Sequence, residues 1–407
     1  MPDKYGDSGE RPAAIVVGGG PAGLTAAIAL AAGGIATVLV GKRPERPDNR
    51  TTALLGGSVT ALSTLGVWAL CADAAAPLKT MRIVDDTGRL WRAPEVKFEA
   101  DEIDLEAFGY NIENRHLVDA LERHARTFTK LRTIEDEVSS IKPGLDAVTI
   151  TLKSGSRLRA PLTIGADGRR SLCRDAAGIS IDERAYPQAA LTVCFKHSRP
   201  HRDTSTEFHT PSGPFTLVPL PGNRSSLVWV LDPVQADEIA TLTDADLSAE
   251  IERASHSILG KIEIEPGRGL FPLSVATARR FGDQRIALVG EAAHVVPPIG
   301  AQGLNLGLRD AATIGELAVA AHRDGGDIGA AGVISAYDKM RRADVGSRTL
   351  VIDVLNRTLL TDFLPTQGMR GLGLYLLDRI GPLRRAAMRE GIAPAASAPR
   401  LMRGQTL

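Results

Sequence analysis

The sequence predicts an α/β fold: a discontinuous Rossmann-like domain of the GxGxxG type, an antiparallel sheet inserted into it, and a C-terminal helical segment. The first observation is an apolar run, a glycine-rich turn and a helical composition that follow one another in residues 13–32. The second is a similar run, again followed by clustered glycines, in residues 285–307. The third is a series of short runs with β character in residues 189–231. Strands that alternate with helices predict a parallel sheet, and short strands separated by turns predict an antiparallel one.

The composition limits the function before any motif is considered. The chain has 407 residues, 41 of them glycine, with 48 basic and 48 acidic side chains. This length allows two or three domains with a large core. Zero net charge gives no overall attraction to nucleic acid, so no nucleic-acid partner is expected. Cys71, Cys173 and Cys194 are odd in number and far apart, which predicts neither disulfides nor a metal site and suits a reducing cytoplasm.

Residues 12–41 form an uncharged stretch of thirty residues, long enough to span a bilayer. Seven of the thirty are glycine and two are proline. The glycines and proline of residues 18–21 would interrupt a spanning helix in its middle, whereas a strand, a tight turn and a helix suit them. We therefore expect a buried strand and helix here, and we expect no secretory leader before them.

The first glycine cluster has the pattern of a dinucleotide-binding βα turn. Gly18 allows a sharp turn after the strand, Gly20 lets the backbone approach a pyrophosphate, and Gly23 lets the helix pack closely on the strand. Pro21 and Ala22 stand at the positive end of that helix, which would face the phosphates. The alternative is a glycine-rich turn that binds no nucleotide.

The end of the second predicted strand departs from this pattern. An acidic residue normally stands there to bind the adenosine ribose, but this chain has Gly41, followed by Lys42 and Arg43. Taken alone, two bases without an acid would indicate NADP, which carries a 2′-phosphate. Glu45 or Asp48 in the following loop could instead supply the missing carboxylate.

Two further blocks repeat the order of strand and glycine-rich turn. Residues 162–171 contain Asp167 and Gly168, with Arg174 shortly after, and residues 285–310 lead into a long apolar helix. With the first βα unit, these blocks resemble the FAD-dependent aromatic hydroxylases of the p-hydroxybenzoate hydroxylase type. Within that family the chain is most similar to the branch that hydroxylates the ring in ubiquinone biosynthesis. The segments similar to that branch are residues 48–54, 62–68, 110–115, 352–356 and 370–384.

The resemblance implies FAD rather than NADP as the bound cofactor, with NADH or NADPH and O2 as co-substrates. It implies hydroxylation of the aromatic ring of a polyprenylated phenol in ubiquinone biosynthesis, through a flavin C4a-hydroperoxide. Such chemistry needs orientation, exclusion of water and stabilisation of negative charge more than an acid or a base. Three alternatives remain open: a hydroxylase of a small soluble phenol, a prenyl reductase of the same fold, and a non-catalytic flavin-binding assembly protein.

The same resemblance assigns roles to individual residues. Those expected to bind the cofactor are Gly18, Gly20, Pro21, Ala22, Gly23, Arg50, Arg115, Asp167, Gly168, Gly290, Glu291, Gly303, Leu304 and Asn305. Those expected at the flavin face are Pro298, Gly300, Gln302 and Gly303. Glu291 replaces the usual aspartate, and Ala301 stands where most members have glycine. No metal ligand is expected.

Two sets of residues have two interpretations each. His294 follows the predicted strand end, where it is either a hydrogen-bonded support or an acid/base group. Phe215, Leu217 and Trp229 either cover the flavin or form the core of the antiparallel sheet.

The first and last cofactor blocks must converge on one FAD, so their domain is discontinuous. The expected bounds are residues 1–75, 105–180 and 270–345 for the FAD-binding domain, 76–104 and 181–269 for the substrate domain, and 346–407 for the C-terminal helical region.

The C-terminal region has an amphipathic composition. Residues 370–391 carry five arginines among apolar residues. This pattern suits a peripheral contact with the inner membrane or a quinone-biosynthesis protein complex, and a plain docking helix is the alternative. We expect a cytoplasmic protein that is peripheral at the inner membrane.

Overall fold

The structure is a computed structural model. It describes residues 12–42, 50–88, 94–298, 300–360, 379–382, 384–385, 388 and 398–407, with the backbone alone for residues 349–360. Arg43, Glu45 and Asp48 lie outside the described residues, as does most of the arginine-rich segment 370–391.

The strands are β1 (Ala14–Val17), β2 (Thr37–Val40), β3 (Thr51–Leu55), β4 (Ala75–Pro77), β5 (Thr80–Asp85), β6 (Val96–Glu99), β7 (Gly109–Glu113), β8 (Leu131–Ile134), β9 (Val138–Lys142), β10 (Val148–Leu152), β11 (Arg157–Ala160), β12 (Leu162–Gly165), β13 (Ile181–His197), β14 (Thr204–Thr210), β15 (Gly213–Leu220), β16 (Arg224–Leu231), β17 (Ile262–Ile264), β18 (Gly269–Ala278), β19 (Gly282–Asp283), β20 (Ile286–Leu288) and β21 (His294–Val295). The helices are α1 (Pro21–Ala32), α2 (Gly56–Thr64), α3 (Asn114–Ala125), α4 (Leu172–Ala176), α5 (Pro233–Thr241), α6 (Asp244–Ala254), α7 (Gln302–Arg323) and α8 (Ala331–Leu360). Short 3-10 helices occupy Trp68–Leu70, Ala72–Ala74, Ala100–Ile103, Gly290–Ala292 and Arg400–Arg403.

A parallel sheet carries the first glycine turn. Strands β20, β12, β1, β2 and β8 lie side by side in that order and run parallel, and β19 pairs antiparallel with β20 at one edge. Every residue of β1, β2 and β12 is buried, as expected for a sheet covered on both faces. The chain goes from β1 to β2 on one side and returns to β12 on the other, so the carboxyl ends of β1 and β12 border a crevice.

A large sheet is inserted into this domain, in the order β21, β18, β13, β16, β15, β14, β5 and β6, with β17 also pairing with β13. Its strand pairs are antiparallel except β14 with β5. The four β-type runs expected at residues 189–231 lie within β13 to β16. The predicted fold class, a discontinuous Rossmann-like domain with an inserted antiparallel sheet, is therefore confirmed.

The large sheet has one face against helices and one face against a cavity. Phe215, Leu217 and Trp229 pack with residues of α6 such as Leu247 and Ile251 in a buried cluster. Because side chains alternate between the faces of a strand, these three side chains point away from the cavity. The interpretation that they cover the flavin is wrong, and the sheet-core interpretation is confirmed.

Two smaller sheets complete the described part. One has the order β3, β7, β4, and the other β11, β10, β9. The uncharged stretch of residues 12–41 forms β1, α1 and β2 as expected. Within the described ranges, none of the helices is both long and apolar enough to cross a bilayer.

The predicted domain bounds stay a prediction. Strand β18 belongs to the large sheet although all of its residues except Gly269 fall in segment 270–345, and the bound after residue 345 falls inside α8.

Candidate active site

The turn after β1 uses its glycines in different ways. Gly18 has a φ of +120°, and a Cβ added there would lie 2.0 Å from the carbonyl oxygen of Ala166. A Cβ on Gly23 would lie 2.0 Å from the carbonyl oxygen of Gly18, so both positions exclude any side chain. A Cβ on Gly20 would meet nothing within 4 Å, and this residue lines the cavity. Gly20 is thus the residue at which a ligand can approach the backbone.

Close packing explains the glycine at the end of β2. A Cβ on Gly41 would lie 2.5 Å from the backbone nitrogen of Gly19, so no acidic side chain fits there without moving the turn. Lys42 lies 3.5 Å from Glu137 and is paired on the surface. The missing acid is therefore a consequence of how tightly β2 meets the glycine turn.

One cavity of about 730 Å³ extends from the glycine turn to the large sheet. Most residues predicted for the site lie in its wall: Gly20, Pro21, Ala22, Gly23, Arg50, Gly168, Gly290, Glu291, Pro298, Gly300, Gln302, Gly303 and Leu304. Arg50 stacks on Phe271, another wall residue, at 5.7 Å from the ring centre. The structure thus brings together residues that are up to 284 positions apart in the sequence.

The start of α7 also faces this cavity. Gly300 and Ala301 both have left-handed backbone conformations, with φ of +64° and +55°. Helix α7 begins directly afterwards at Gln302, so its free N–H groups and positive dipole end lie at the cavity wall. Ala301 adopts the conformation that glycine would adopt, at some cost in backbone strain.

Asp167 lies just behind the wall. Its carboxylate accepts hydrogen bonds from the Ser171 hydroxyl at 2.6 Å and the Cys173 N–H at 3.0 Å. It therefore holds the start of α4, while Ala166 and Gly168 on either side line the cavity. Direct contact between Asp167 and the cofactor stays a prediction.

Arg115 and Asn305 also lie outside the wall. Arg115 donates to Glu113 at 2.8 Å, and its contact with the cofactor stays a prediction. Asn305 accepts from the Leu55 N–H at 2.9 Å and donates to the Ala53 carbonyl at 2.8 Å. Asn305 therefore ties the first turn of α7 to β3, the strand that lines the same cavity.

His294 lines the cavity and belongs to a buried charged cluster behind the wall. Its Nε2 lies 2.7 Å from the Asp310 carboxylate, which also accepts from Arg341 at 2.7 Å and from the Gly290 N–H at 2.9 Å. Burial alone would raise the pKa of Asp310, but His294 and Arg341 hold this pKa below its ordinary value. The geometry favours the support role for His294, since its hydrogen bond to Asp310 ties β21 to α7, while the same carboxylate holds the Gly290 N–H.

A polar junction between the β3, β7, β4 sheet and the large sheet was not predicted from the sequence. Thr51 donates to the Ser226 hydroxyl at 2.8 Å. Asn111 donates to the Pro219 carbonyl at 2.9 Å and to Ser226 at 3.2 Å. Thr51, Asn111 and Ser226 all line the cavity, so this junction fixes its width. Asn111 lies in the segment 110–115 that resembles the family, which was the available signal.

No cysteine is suited to nucleophilic catalysis. Cys194 lines the cavity, and burial raises the pKa of its thiol to about 12. The thiol is therefore protonated at neutral pH.

The sequence pattern of the FAD-binding-domain family matches residues 11–348. The chain belongs to this family. It is 36% identical to the ubiquinone hydroxylase UbiL of Rhodospirillum rubrum, over 97% of this chain and 93% of that protein. It is 32% identical to the 3-demethoxyubiquinol 3-hydroxylase of Escherichia coli, over 92% and 96% of the two chains. The resemblance to the ubiquinone branch of the FAD-dependent hydroxylases is confirmed.

A solved structure supports the fold independently. The p-nitrophenol 4-monooxygenase PnpA of Pseudomonas putida superposes with a TM-score of 0.77, at 19% identity, over 93% of this chain and 97% of that one. At this identity the comparison shows the fold alone.

The residues present fit FAD. The backbone at Gly20 is open to the cavity, and the N-terminus of α1 lies beside it, which suits a pyrophosphate. At the other end, the N-terminus of α7 suits an anionic group. Binding of FAD thus explains why this chain places two helix N-termini on one cavity. NADH or NADPH is the co-substrate typical of the family.

Proposed function

We propose that this protein hydroxylates the aromatic ring of a polyprenylated phenol in ubiquinone biosynthesis, with FAD as cofactor and NADH or NADPH and O2 as co-substrates. The observation that carries the proposal is the continuity of the cavity. The cavity is bordered by the glycine turn and by α7, and it continues to an apolar lobe at the large sheet. The similarity to UbiL over nearly the whole of both chains supports this substrate class.

The chain supplies binding and orientation. FAD, when bound, supplies the redox chemistry and the activation of oxygen. Gly20 and the start of α1 would hold its pyrophosphate, with Glu291 beside them as a hydrogen-bond acceptor for a hydroxyl. The N–H groups at Gly300 to Gly303 would stabilise negative charge on the flavin, and Pro298 would limit access of water. The other residues proposed to contact the cofactor are Arg50, Arg115, Asp167, Gly168, Gly290, Leu304 and Asn305.

The apolar lobe suits a prenyl chain. Its wall contains Leu78, Met81, Phe98, Phe108 and Met388. These side chains offer no hydrogen-bond donor, so an isoprenoid is better accommodated there than a polar ring substituent.

Two described residues of the C-terminal region, Arg384 and Met388, lie at the same lobe. Arg384 donates to Glu102 at 2.6 Å, and Met388 packs on Phe108 and Ile103. Ile380 in this region is exposed. We propose that this region lies against the inner membrane or a protein of quinone biosynthesis, close to where the prenyl chain enters.

Deletion of the gene tests the function. The expected result is loss of ubiquinone and accumulation of one prenylated precursor that lacks a single ring hydroxyl. The purified protein is expected to be yellow and to oxidise NADH or NADPH faster when a prenylated phenol is added.

Other results would contradict the proposal in different ways. Normal ubiquinone without an accumulated precursor would argue against it. Turnover of soluble phenols alone would indicate a small-phenol hydroxylase, and a precursor with an unreduced prenyl chain would indicate a prenyl reductase. A yellow protein that never oxidises NADH or NADPH would indicate an assembly protein.

A further inference from the structure

The substrate half of the cavity contains an acidic side chain, Glu207. It lies in β14, and its register neighbours Thr216 in β15 and Ile83 in β5 also line the cavity. The next residue, Phe208, points to the opposite face and into the aromatic core. Among the described wall residues the other acid is Glu291, at the cofactor end, so Glu207 is the acid of the substrate half.

Neighbouring side chains fix the orientation of this carboxylate. His209 Nε2 lies 2.8 Å from Glu207 Oε1, and the Thr216 hydroxyl donates to Oε2 at 3.3 Å. A carboxylate can only accept, so the imidazole carries its proton on Nε2. Each carboxylate oxygen has about two acceptor sites, so each keeps one for a ligand.

The charge of Glu207 has no arginine or lysine partner within the described residues. Arg82, the nearby cation of the wall, is paired with Glu95 at 2.6 Å. A carboxylate that faces an apolar cavity without a cation is unfavourable unless a hydrogen-bond donor meets it. The cavity therefore favours a ligand that brings a neutral donor and disfavours one that brings a second negative charge.

We propose that Glu207 determines which ring enters this cavity: it accepts a hydrogen bond from the hydroxyl of a neutral phenol and repels a ring that carries a carboxylate. This inference rests on the proposed function, because it assumes a phenolic substrate. Thr216 and His209 act as positioning residues, since they hold the carboxylate in one orientation. Glu207 is thus a specificity-determining residue.

The test measures binding rather than turnover. The oxidised FAD-loaded protein is titrated by calorimetry at pH 8 with 2-prenylphenol and with 3-prenyl-4-hydroxybenzoate. These two ligands differ by one carboxylate. The unaltered protein should prefer the phenol by at least about tenfold, and Glu207→Gln should reduce this preference by about tenfold, the size expected for one hydrogen bond to a charged group.

A matched control makes the same chemical change outside the cavity. Glu263 in β17 is exposed and lies 3.9 Å from Lys196, so Glu263→Gln should leave the preference unchanged. A second variant, Thr216→Val, keeps the charge but frees one carboxylate oxygen. It should weaken binding of the phenol a few-fold while the preference over the benzoate persists.

Each outcome supports or contradicts the inference. Equal preferences in the unaltered protein and Glu207→Gln would overturn it. If Glu207→Gln does not fold, Glu207→Asp decides: the shorter side chain should weaken binding of the phenol about tenfold, and unchanged binding would overturn the inference. If the unaltered protein binds neither ring and no phenol accelerates NADH or NADPH oxidation, the proposed function itself fails. Phenol binding with a preference that is the same in every variant removes only the role of Glu207.

Discussion

The two sheets that enclose the cavity present different groups to it. The parallel sheet presents backbone, at the turn between β1 and α1 and at the turn that precedes α7. The large antiparallel sheet presents the side chains of alternate residues, such as Glu207 and Thr216. A backbone site depends on glycine and on unusual φ values, whereas a side-chain site depends on which residue of a strand faces inward. The two halves should therefore respond to different kinds of substitution.

The largest difference in the free energy of unfolding is expected between substitutions at two adjacent residues of β15. Phe215 is fully buried in the aromatic core, at 5.0 Å from the ring centre of Trp229. Its replacement by alanine should lower the free energy of unfolding by about 3–5 kcal/mol, because it leaves a cavity. Thr216→Val, on the opposite face, should change the free energy of unfolding by less than about 1 kcal/mol and affect ligand binding instead. Urea unfolding of the flavin-free protein measures both. A large loss of stability in Thr216→Val would contradict the assignment of faces.

The glycine turn allows a similar comparison within one motif. Gly18→Ala would place a Cβ 2.0 Å from the Ala166 carbonyl oxygen, and we expect a loss of about 3 kcal/mol together with loss of bound flavin. Gly20→Ala is the matched control, because its Cβ would meet nothing within 4 Å. It should keep the stability of the flavin-free protein and weaken only the binding of FAD. Thermal unfolding and the flavin content after purification measure the two effects. Equal stabilities of the two variants would contradict the close packing at Gly18.

The sequence predicted the backbone half of the site well because its geometry requires particular residues. The strand, glycine turn and helix of residues 13–32 are visible in the sequence, and so is the second turn near Gly300. The sequence did not predict contacts between residues that are distant from each other along the chain. The close approach of Gly41 to Gly19 explains the missing acid, yet nothing in residues 35–43 indicates it. The two hydrogen bonds that Asp167 accepts at the start of α4 depend likewise on the local path of the chain.

The side-chain half was predicted only as strands. Alternation in β14 and β15 shows that each strand has two faces, but it does not say which face meets the cavity. Helices α5 and α6 decide this, because they cover the face that carries Phe215. The aromatic residues were the attractive candidates, whereas the wall uses the polar residues between them, including Glu207. Polar residues on one face of an inserted sheet are the signal to follow in such chains.

The smallest effect on the free energy of unfolding is expected at the turn that precedes α7. There a substitution should stabilise the protein, whereas at Gly18 it should destabilise it. Ala301 has a φ of +55°, a conformation that costs a residue with a Cβ about 1 kcal/mol. Ala301→Gly should therefore raise the free energy of unfolding by about 1 kcal/mol, less the entropy that glycine gains in the unfolded chain. Ala320→Gly is the control, since Ala320 is exposed in the same helix, where glycine should cost up to about 1 kcal/mol. The free energies of unfolding of the two flavin-free variants, measured with urea, should change in opposite directions. If both variants lose stability equally, residue 301 is not left-handed in solution, and the backbone at α7 is under less strain than the geometry of this turn implies.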